Sequence, residues 1–589
     1  MALKREPTPA GAVTDLFDRL HELHLDAGEP GVRQIATGIG RGVLSYTTVH
    51  NVFRGPRVPK WGHLELIVDQ LGGDVGTFRA LWRAARLAEL ALPAPSEVED
   101  ARQLVPHSAY RPDVPAATTR APVVGRDSDR QFEFVVVMSR IPPFGAGDGR
   151  SKHNTGISHT LRRLVVERRG VWVGWSGLAD AAAGLESASG MDAMAIPMSG
   201  REVEWHLEGQ CHSTLWPLYH DAIERPEFHR DWRDTYRMIN QRYADAVAHV
   251  AARGATVWIH DYQLQHVPAL LRDQRPDLRT GFFLHIPFPP PELFTQLPDR
   301  DETLRGLLGA DVVGFQRPAS AQNFLRLCAD LLGLRNGDSS VHVGGRTVMV
   351  DAYPVSVDVE AIERDVGRPQ IMRRAQRIRA ELGNPEIVIA GLDRLDYTKG
   401  IEQRLLAYGA ILADVQTASN PLAFIQVATL SRERVARYTS LRERVDRLAG
   451  HLNGSYGRMG NPVVRYTNQP LDYDEVMAIY RAADVMVVTP FRDGMNLVAK
   501  EYVASRVDNR GAIVLSEFAG SAAELDEAIL VNPYDADDLK DAILRAIEMS
   551  PAEQVRKMKA MRSWLRAHDA RAWITAFMTS LDNVSRTTL

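Results

Sequence analysis

In the stretch DVMVVTPFRDGMNLVAKEY, residues 484–502, an apolar run passes through the turn Phe491-Arg492-Asp493-Gly494-Met495-Asn496 into a helical pattern. A strand–turn–helix junction leaves the first N–H groups of the helix without intrahelical partners, and with the helix dipole they suit a phosphate. The expected contacts are the backbone of Gly494, Met495, Asn496, Leu497 and Val498, with the helix starting near Asn496. Gly494 lets that backbone approach a ligand closely. Asp493 has the wrong charge for a phosphate neighbour, but it can accept hydrogen bonds from sugar hydroxyls. Glu501 lies eight residues on, about two helical turns, so it can face the same crevice and meet a ribose diol. Taken alone, the turn is read equally well as a capped helix with a solvated aspartate.

A second junction, IVIAGLDRLDYTKGIEQRL, shifts that balance. Arg394 and Lys399 stand five residues apart where the chain leaves the strand. Two cations there can neutralise a diphosphate that gains negative charge as a glycosyl bond breaks. A surface cation pair, the plain alternative, would contribute little. Two such turns in one half-chain favour a nucleotide-sugar site.

The elements that must carry these turns are legible as short apolar runs followed by amphipathic ones. FEFVVVMS, GVWVGWS, ATVWIHD, RTGFFLHIP, ADVVGFQ, EIVIAGLD, AFIQVAT, DVMVVTP and GAIVLSE read as strands, and ISHTLRRLVVER as a helix. Strands apolar throughout indicate parallel sheets covered on both faces. Their number exceeds one doubly wound sheet, so two Rossmann-like domains are expected, joined near Val355–Glu360. Residues 91–130, rich in Pro and Ala, read as a linker after a small all-α domain, 1–90.

The chain has 589 residues and a net charge of −4, which excludes a wholesale polyanion binder. Cys211 and Cys328 are too few for a disulfide framework or a zinc cluster. His260, His266 and His285 fit no common ligand spacing, so no metal is expected. With neither a leader pattern nor an apolar run of spanning length, the expectation is a soluble, cytoplasmic protein without membrane contact.

The blocks RDGMNLVAKEY, DRLDYTKG, WIHDYQLQ, GFFLHIPFPPPELF, LLGADVVGFQ and LSEFAGSAAEL, in consistent order over roughly residues 131–585, resemble the retaining glycosyltransferase family 20, the α,α-trehalose-phosphate synthases. The resemblance implies an α/β fold of GT-B architecture, two Rossmann-like domains facing a cleft. The expected boundaries are 131–357 for the acceptor domain and 358–560 for the nucleotide-sugar domain. A C-terminal helix, 561–589, is expected to cross back to the first. The implied reaction is metal- and cofactor-free transfer of glucose from UDP- or GDP-glucose to glucose 6-phosphate, giving α,α-trehalose 6-phosphate, by a homo-oligomer.

Carried over residue by residue, the resemblance implies that Arg140 and Arg432 hold the acceptor phosphate, where guanidinium forks suit a dianion. Trp175 and Trp216 would wall the acceptor pocket, and Asp261 would contact the acceptor sugar. His285 would sit at the donor sugar, with Gly156, Arg394, Lys399, Asp493, Glu501 and the backbone of 494–498 on the donor. The implied catalytic set is Asp261, His285, Arg394, Lys399 and Asp493. His285 and Trp216 also have ordinary readings as core residues.

Two positions depart from the family pattern. Thr155 replaces the first Gly of the phosphate loop in NTGI, and a β-branched residue is costly wherever φ must be positive. Leu207 stands nine residues before Trp216, where the family has a tyrosine that touches the acceptor phosphate. Leucine offers no hydroxyl, which leaves room for a different phosphorylated acceptor, such as an aminocyclitol phosphate.

From Pro30 to His63 there are five basic residues (Arg33, Arg41, Arg54, Arg57 and Lys60) and no acidic one. VRQIATGIG followed by VLSYTTVHNVFRG resembles a repressor-type helix-turn-helix, with Ser45 as N-cap and Val49, Val52 and Phe53 facing inward. Tyr46, Thr47, His50 and Asn51 would then face DNA, Arg41 would belong to the same DNA-binding surface, and Arg54 and Arg57 would contact phosphates. The plain alternative is a helical docking module with an incidental basic face. A DNA-binding regulator that only senses sugar phosphates is the third functional reading.

Overall fold

The computed structural model describes residues 11–39, 49, 52–53, 58–59, 61–91, 130–142, 157–188, 190–414, 422–432 and 435–584. The chain divides into two compact units, Met1–Arg120 and Ala121–Leu589.

In the first unit, the helices Ala12–Asp26, Val32–Ile39, Trp61–Gln70 and Val75–Ala91 enclose a core. Leu16, Phe17, Leu20, Ile35, Leu64 and Ile67 are fully or almost fully buried there, together with Val49, Val52 and Phe53. Arg41, Tyr46, Thr47, His50, Asn51, Arg54 and Arg57 lie outside the described residues, as do Thr155 and Gly156.

The second unit holds two sheets. Among the described residues the first has ten strands. In chain order these are β1 (Phe132–Arg140), β2 (Val171–Trp175), β3 (Gly184–Ala188), β4 (Met191–Ile196), β5 (Ala251–His260), β6 (Arg279–Phe283), β7 (Val312–Phe315), β8 (Arg335–Gly337), β9 (Ser340–Val343) and β10 (Arg346–Ala352). Their spatial order is β3-β4-β2-β1-β5-β6-β7-β10-β9-β8. The seven central strands are parallel, β3 and β9 run against them, and β8 at the far edge pairs antiparallel with β9. These edge strands lack a continuous apolar run, which is why the parallel pattern alone did not announce them.

The second sheet is parallel throughout: β11 (Ile387–Arg394), β12 (Leu422–Thr429), β13 (Val464–Thr467), β14 (Val485–Val488), β15 (Ala512–Ser516) and β16 (Ile529–Val531). Its order is β13-β12-β11-β14-β15-β16. Every residue of β2, β14 and β15 is buried, as strands covered on both faces must be.

Each sheet reverses direction once near its middle. From β11 the chain runs out to β12 and β13, then returns to β14 on the other side of β11. From β1 it runs out to β2, and later returns to β5 on the other side of β1. Crevices at the carboxyl ends of such strand pairs are where doubly wound folds bind ligands. Both junctions singled out in the sequence, after β11 and after β14, flank one of these reversals.

The C-terminal region is two helices rather than one. Pro551–Ala567 pairs with the second half through Arg562 and Glu363, 2.7 Å apart. After a break at His568, Asp569 caps Ala570–Asp582 by accepting from the Ala572 N–H. This last helix packs on the first sheet. Phe577 stacks on Trp258 with ring centres 4.7 Å apart, and Arg279 pairs with Asp582 at 2.9 Å. Among the described residues, no helix is long and apolar enough to cross a membrane.

Candidate active site

At the carboxyl end of β11 the chain turns through Tyr397–Lys399. Asp396 caps this turn by accepting from the Thr398 N–H at 3.1 Å and from its hydroxyl at 3.0 Å. Gly400, with φ of +61°, then starts the next helix. The turn after β14 lies alongside, because the Phe491 N–H donates to the Thr398 carbonyl at 2.8 Å. The two junctions therefore form one structure.

That structure joins opposite charges. Lys399 Nζ donates to Asp493 Oδ2 at 2.5 Å, and Asn496 Nδ2 donates to the same oxygen at 3.0 Å. Burial pushes the Asp493 carboxyl up, but the Lys399 charge and hydrogen bond outweigh it and hold the group below its ordinary value. Asn496 caps Leu497–Ser505, its Oδ1 accepting from the Ala499 N–H at 3.2 Å. The helix thus begins at the residue expected from the sequence. The N–H groups of its first turn, Leu497 and Val498, have no acceptor within the helix.

Gly494 is required by contact rather than by φ. A Cβ there would lie 2.3 Å from the His285 carbonyl oxygen, so the second half meets the first backbone to backbone. Met495 follows it into a core shared with Trp258, Phe283 and Trp573. Across this contact, the His285 N–H donates to Asp261 Oδ1 at 3.2 Å. Burial raises the Asp261 carboxyl to about 6, against the opposing effects of the Tyr262 and His285 N–H groups and of Arg394 and Arg432. His285 Nε2 lies 3.1 Å from His260 Nδ1. Burial holds His285 near 3 and His260 well below its usual value, so near neutral pH both rings are neutral and one donates its N–H in a hydrogen bond to the bare nitrogen of the other.

Trp216 gathers the cations. The Arg432 guanidinium lies 3.7 Å from its ring centre and that of Arg394 lies 5.4 Å away, while His220 packs against it at 4.0 Å. Arg432 also donates to Asp396 Oδ2 at 3.1 Å and to the Tyr438 hydroxyl at 2.6 Å. One end of its fork is therefore already occupied by a buried carboxylate. Arg394 is exposed. Asp261, Arg432 and Asn496 all hold positive φ, of 75°, 53° and 73°. Such strain in non-glycine residues concentrates at functional sites.

Arg140 and Trp175 form a second pair, the guanidinium 5.5 Å from the ring centre. Trp175 Nε1 donates to the Leu178 carbonyl at 3.0 Å. Glu501 is buried and accepts from the Tyr480 hydroxyl at 2.8 Å. Leu207 is half-buried and packs against the core from the helix Val203–Leu215, a wide helix of the π type that leads into Trp216. Sequence reasoning missed Asp396, His220, Tyr438 and Tyr480. Asp396 had a signal, an Asp–x–Thr turn in DRLDYTKG. His220 and Tyr438 stand only four and six residues from their partners Trp216 and Arg432, and Tyr480 reaches Glu501 from a separate helix.

Residues 145–583 match the sequence model of glycosyltransferase family 20. The trehalose-6-phosphate synthase of Mycolicibacterium smegmatis (strain ATCC 700084 / mc(2)155) is 48% identical over 463 residues, covering 76% of this chain and 92% of that protein. A solved trehalose-6-phosphate protein from E. coli, bound with UDP-2-fluoro glucose, is 33% identical with a TM-score of 0.71, over 77% of this chain and 99% of that one. The α,α-trehalose-phosphate synthase (UDP-forming) from Burkholderia xenovorans, in complex with glucose-6-phosphate, is 29% identical with a TM-score of 0.71, over 77% of this chain and 100% of that one. Two Rossmann-like halves meeting at the ends of their central strands constitute the GT-B architecture expected from the sequence. On its sequence model, its relatives and its fold, the chain belongs to glycosyltransferase family 20.

Proposed function

We propose that the chain transfers glucose, with retention, from a nucleoside-diphosphate glucose to glucose 6-phosphate, forming α,α-trehalose 6-phosphate. The observation that carries this reading is the joined pair of turns after β11 and β14, which sets Lys399, Asp493 and the start of the helix Leu497–Ser505 side by side. The helix start and the two cations Arg394 and Lys399 take the diphosphate, and Asp493 takes the hydroxyls of the donor glucose. Glu501 meets the ribose. Arg140, Arg432, Trp175 and Trp216 receive the acceptor, with Asp261 on its sugar. The UDP-sugar and glucose-6-phosphate complexes of the E. coli and B. xenovorans proteins support the same substrates here.

In the transfer, the acceptor hydroxyl attacks the anomeric carbon from the face the diphosphate leaves. The new C–O bond forms as the bond to the β-phosphate oxygen breaks, and that oxygen takes the acceptor's proton. Arg394 and Lys399 stabilise the departing charge, while the halves hold the two substrates in register. The test is incubation with UDP-glucose or GDP-glucose plus glucose 6-phosphate, followed by product identification. Folded protein that turns over neither donor defeats the reading.

For the helical first unit we propose DNA binding, on the strength of the five basic residues without an acidic one between Pro30 and His63. A salt-sensitive mobility shift of genomic DNA fragments, lost on Arg54→Ala with Arg57→Ala, is the expected result. A shift that persists in the double variant removes the proposal.

A further inference from the structure

Behind the joined turns lies a cation that no ligand can reach. Arg404, in the helix Ile401–Asp414, is 0% exposed. Its Nη2 donates to the Lys399 carbonyl at 2.7 Å and to Asp393 Oδ2 at 2.6 Å, and its Nη1 donates to the Val487 carbonyl at 3.0 Å. These acceptors belong to three segments: the turn that carries Lys399, the end of β11 beside Arg394, and the end of β14 from which Asp493 departs. Gly391 makes room for the fork, since a Cβ there would lie 2.5 Å from Nη1. We propose that Arg404 is a positioning residue for the donor site, fixing Lys399 against Asp493 by tying the ends of β11 and β14 together. The proposal rests on the donor-site reading above.

Stability alone explains this arrangement poorly. A buried ion pair gains little over well-packed apolar residues because both charges lose their hydration. Here Arg404 Nε is buried without a partner. Burial also holds the Asp393 carboxyl above its ordinary value, against the charges of Arg404 and Lys399. What a planar fork supplies, and an apolar side chain or a lysine does not, is simultaneous direction to three acceptors. The three acceptors are those whose spacing sets where Lys399 and Asp493 stand.

The test compares the full-length chain with Arg404→Lys and with Gly391→Ala, which keeps the arginine but crowds its Nη1. UDP and GDP are titrated calorimetrically, kinetics are measured with each substrate varied, and folding is followed by circular dichroism and melting. Both variants are expected to lose at least about tenfold in nucleotide affinity and in kcat, with the glucose 6-phosphate KM held within about twofold. Lower melting temperatures with unchanged nucleotide affinity and donor KM would show a purely structural residue and overturn the proposal. If Arg404→Lys does not fold, Gly391→Ala decides alone. The nucleotide titration needs no turnover, so a failed transfer reaction leaves the Arg404 result readable.

Discussion

Lys399 and Asp493 reach one another from different turns, their charged atoms 2.5 Å apart, so the cation and the carboxylate of the proposed donor site are a single ion pair. The pair sits at the point where β11 and β14, adjacent in space and far apart in sequence, both release the chain. Removing the cation therefore acts twice: it takes a positive charge from the diphosphate and leaves a half-buried Asp493 uncompensated. Lys399→Ala is expected to lower kcat/KM by about 10²–10³-fold, the usual consequence of deleting one preorganised charge stabiliser. Steady-state release of nucleoside diphosphate measures it. A loss of only a few-fold would place the leaving-group charge elsewhere.

Gly494 faces the His285 carbonyl where the two halves meet, and no side chain fits between them. The Cβ of Gly494→Ala would lie 2.3 Å from that oxygen and 3.1 Å from the Ile286 backbone. Because backbone meets backbone, the strain is relieved only if the halves separate or the turn shifts. Overpacking of this kind costs about 1–3 kcal/mol. A displacement of even about 1 Å can cost about 10²-fold in rate. The variant is expected to melt lower and to lose kcat more than it loses stability. Wild-type kcat in Gly494→Ala would show that the approach has no part in catalysis.

How much of this was readable beforehand depended on range. The strands β11, β14 and β15 announced themselves because burial on both faces demands unbroken apolar runs. Asn496 as helix start was equally plain, since a cap is a local matter of one side chain and a backbone three residues on. The Lys399–Asp493 pair was not: both residues were singled out, but 94 residues separate them and nothing local says they touch. Arg404 and Tyr480 have no local pattern that singles them out. Arg432 read as a free phosphate ligand, whereas half of its fork is held by Asp396. Partners of buried charges are set by strand order, which the sequence pattern constrains only through the class of fold.

Glu501 gives the site a pH signature. Burial raises its carboxyl to about 7, and the Tyr480 hydrogen bond only partly opposes this. The folded state therefore keeps a proton that the unfolded chain releases near 4.5. Between those values the folded form binds more protons, so this group's contribution to stability falls as pH rises through the window and levels off above about 7. Glu501→Gln should flatten the decline, leaving melting temperature less dependent on pH between 5 and 7 than in the wild type. Parallel wild-type and variant melting curves across that range would show that Glu501 ionises in the folded protein as it does in water.

Leu207 is the position where the proposed acceptor site is expected to gain from a hydroxyl. It is half-buried on the wide helix that delivers Trp216 and packs against the core. A tyrosine there keeps an apolar ring against that core and carries its O–H outward. A hydrogen bond to a charged phosphate is worth about 1.5–3 kcal/mol. Leu207→Tyr should accordingly lower the glucose 6-phosphate KM by about tenfold or more, at most slightly destabilise the fold, and leave the donor KM where it was. The comparison needs both substrates varied on the same preparation, because a shift in both KM values would mean altered closure of the halves rather than a new phosphate contact. An unchanged acceptor KM in an active enzyme would leave the dianion to Arg140 and Arg432 alone, the two guanidinium groups already stacked on Trp175 and Trp216.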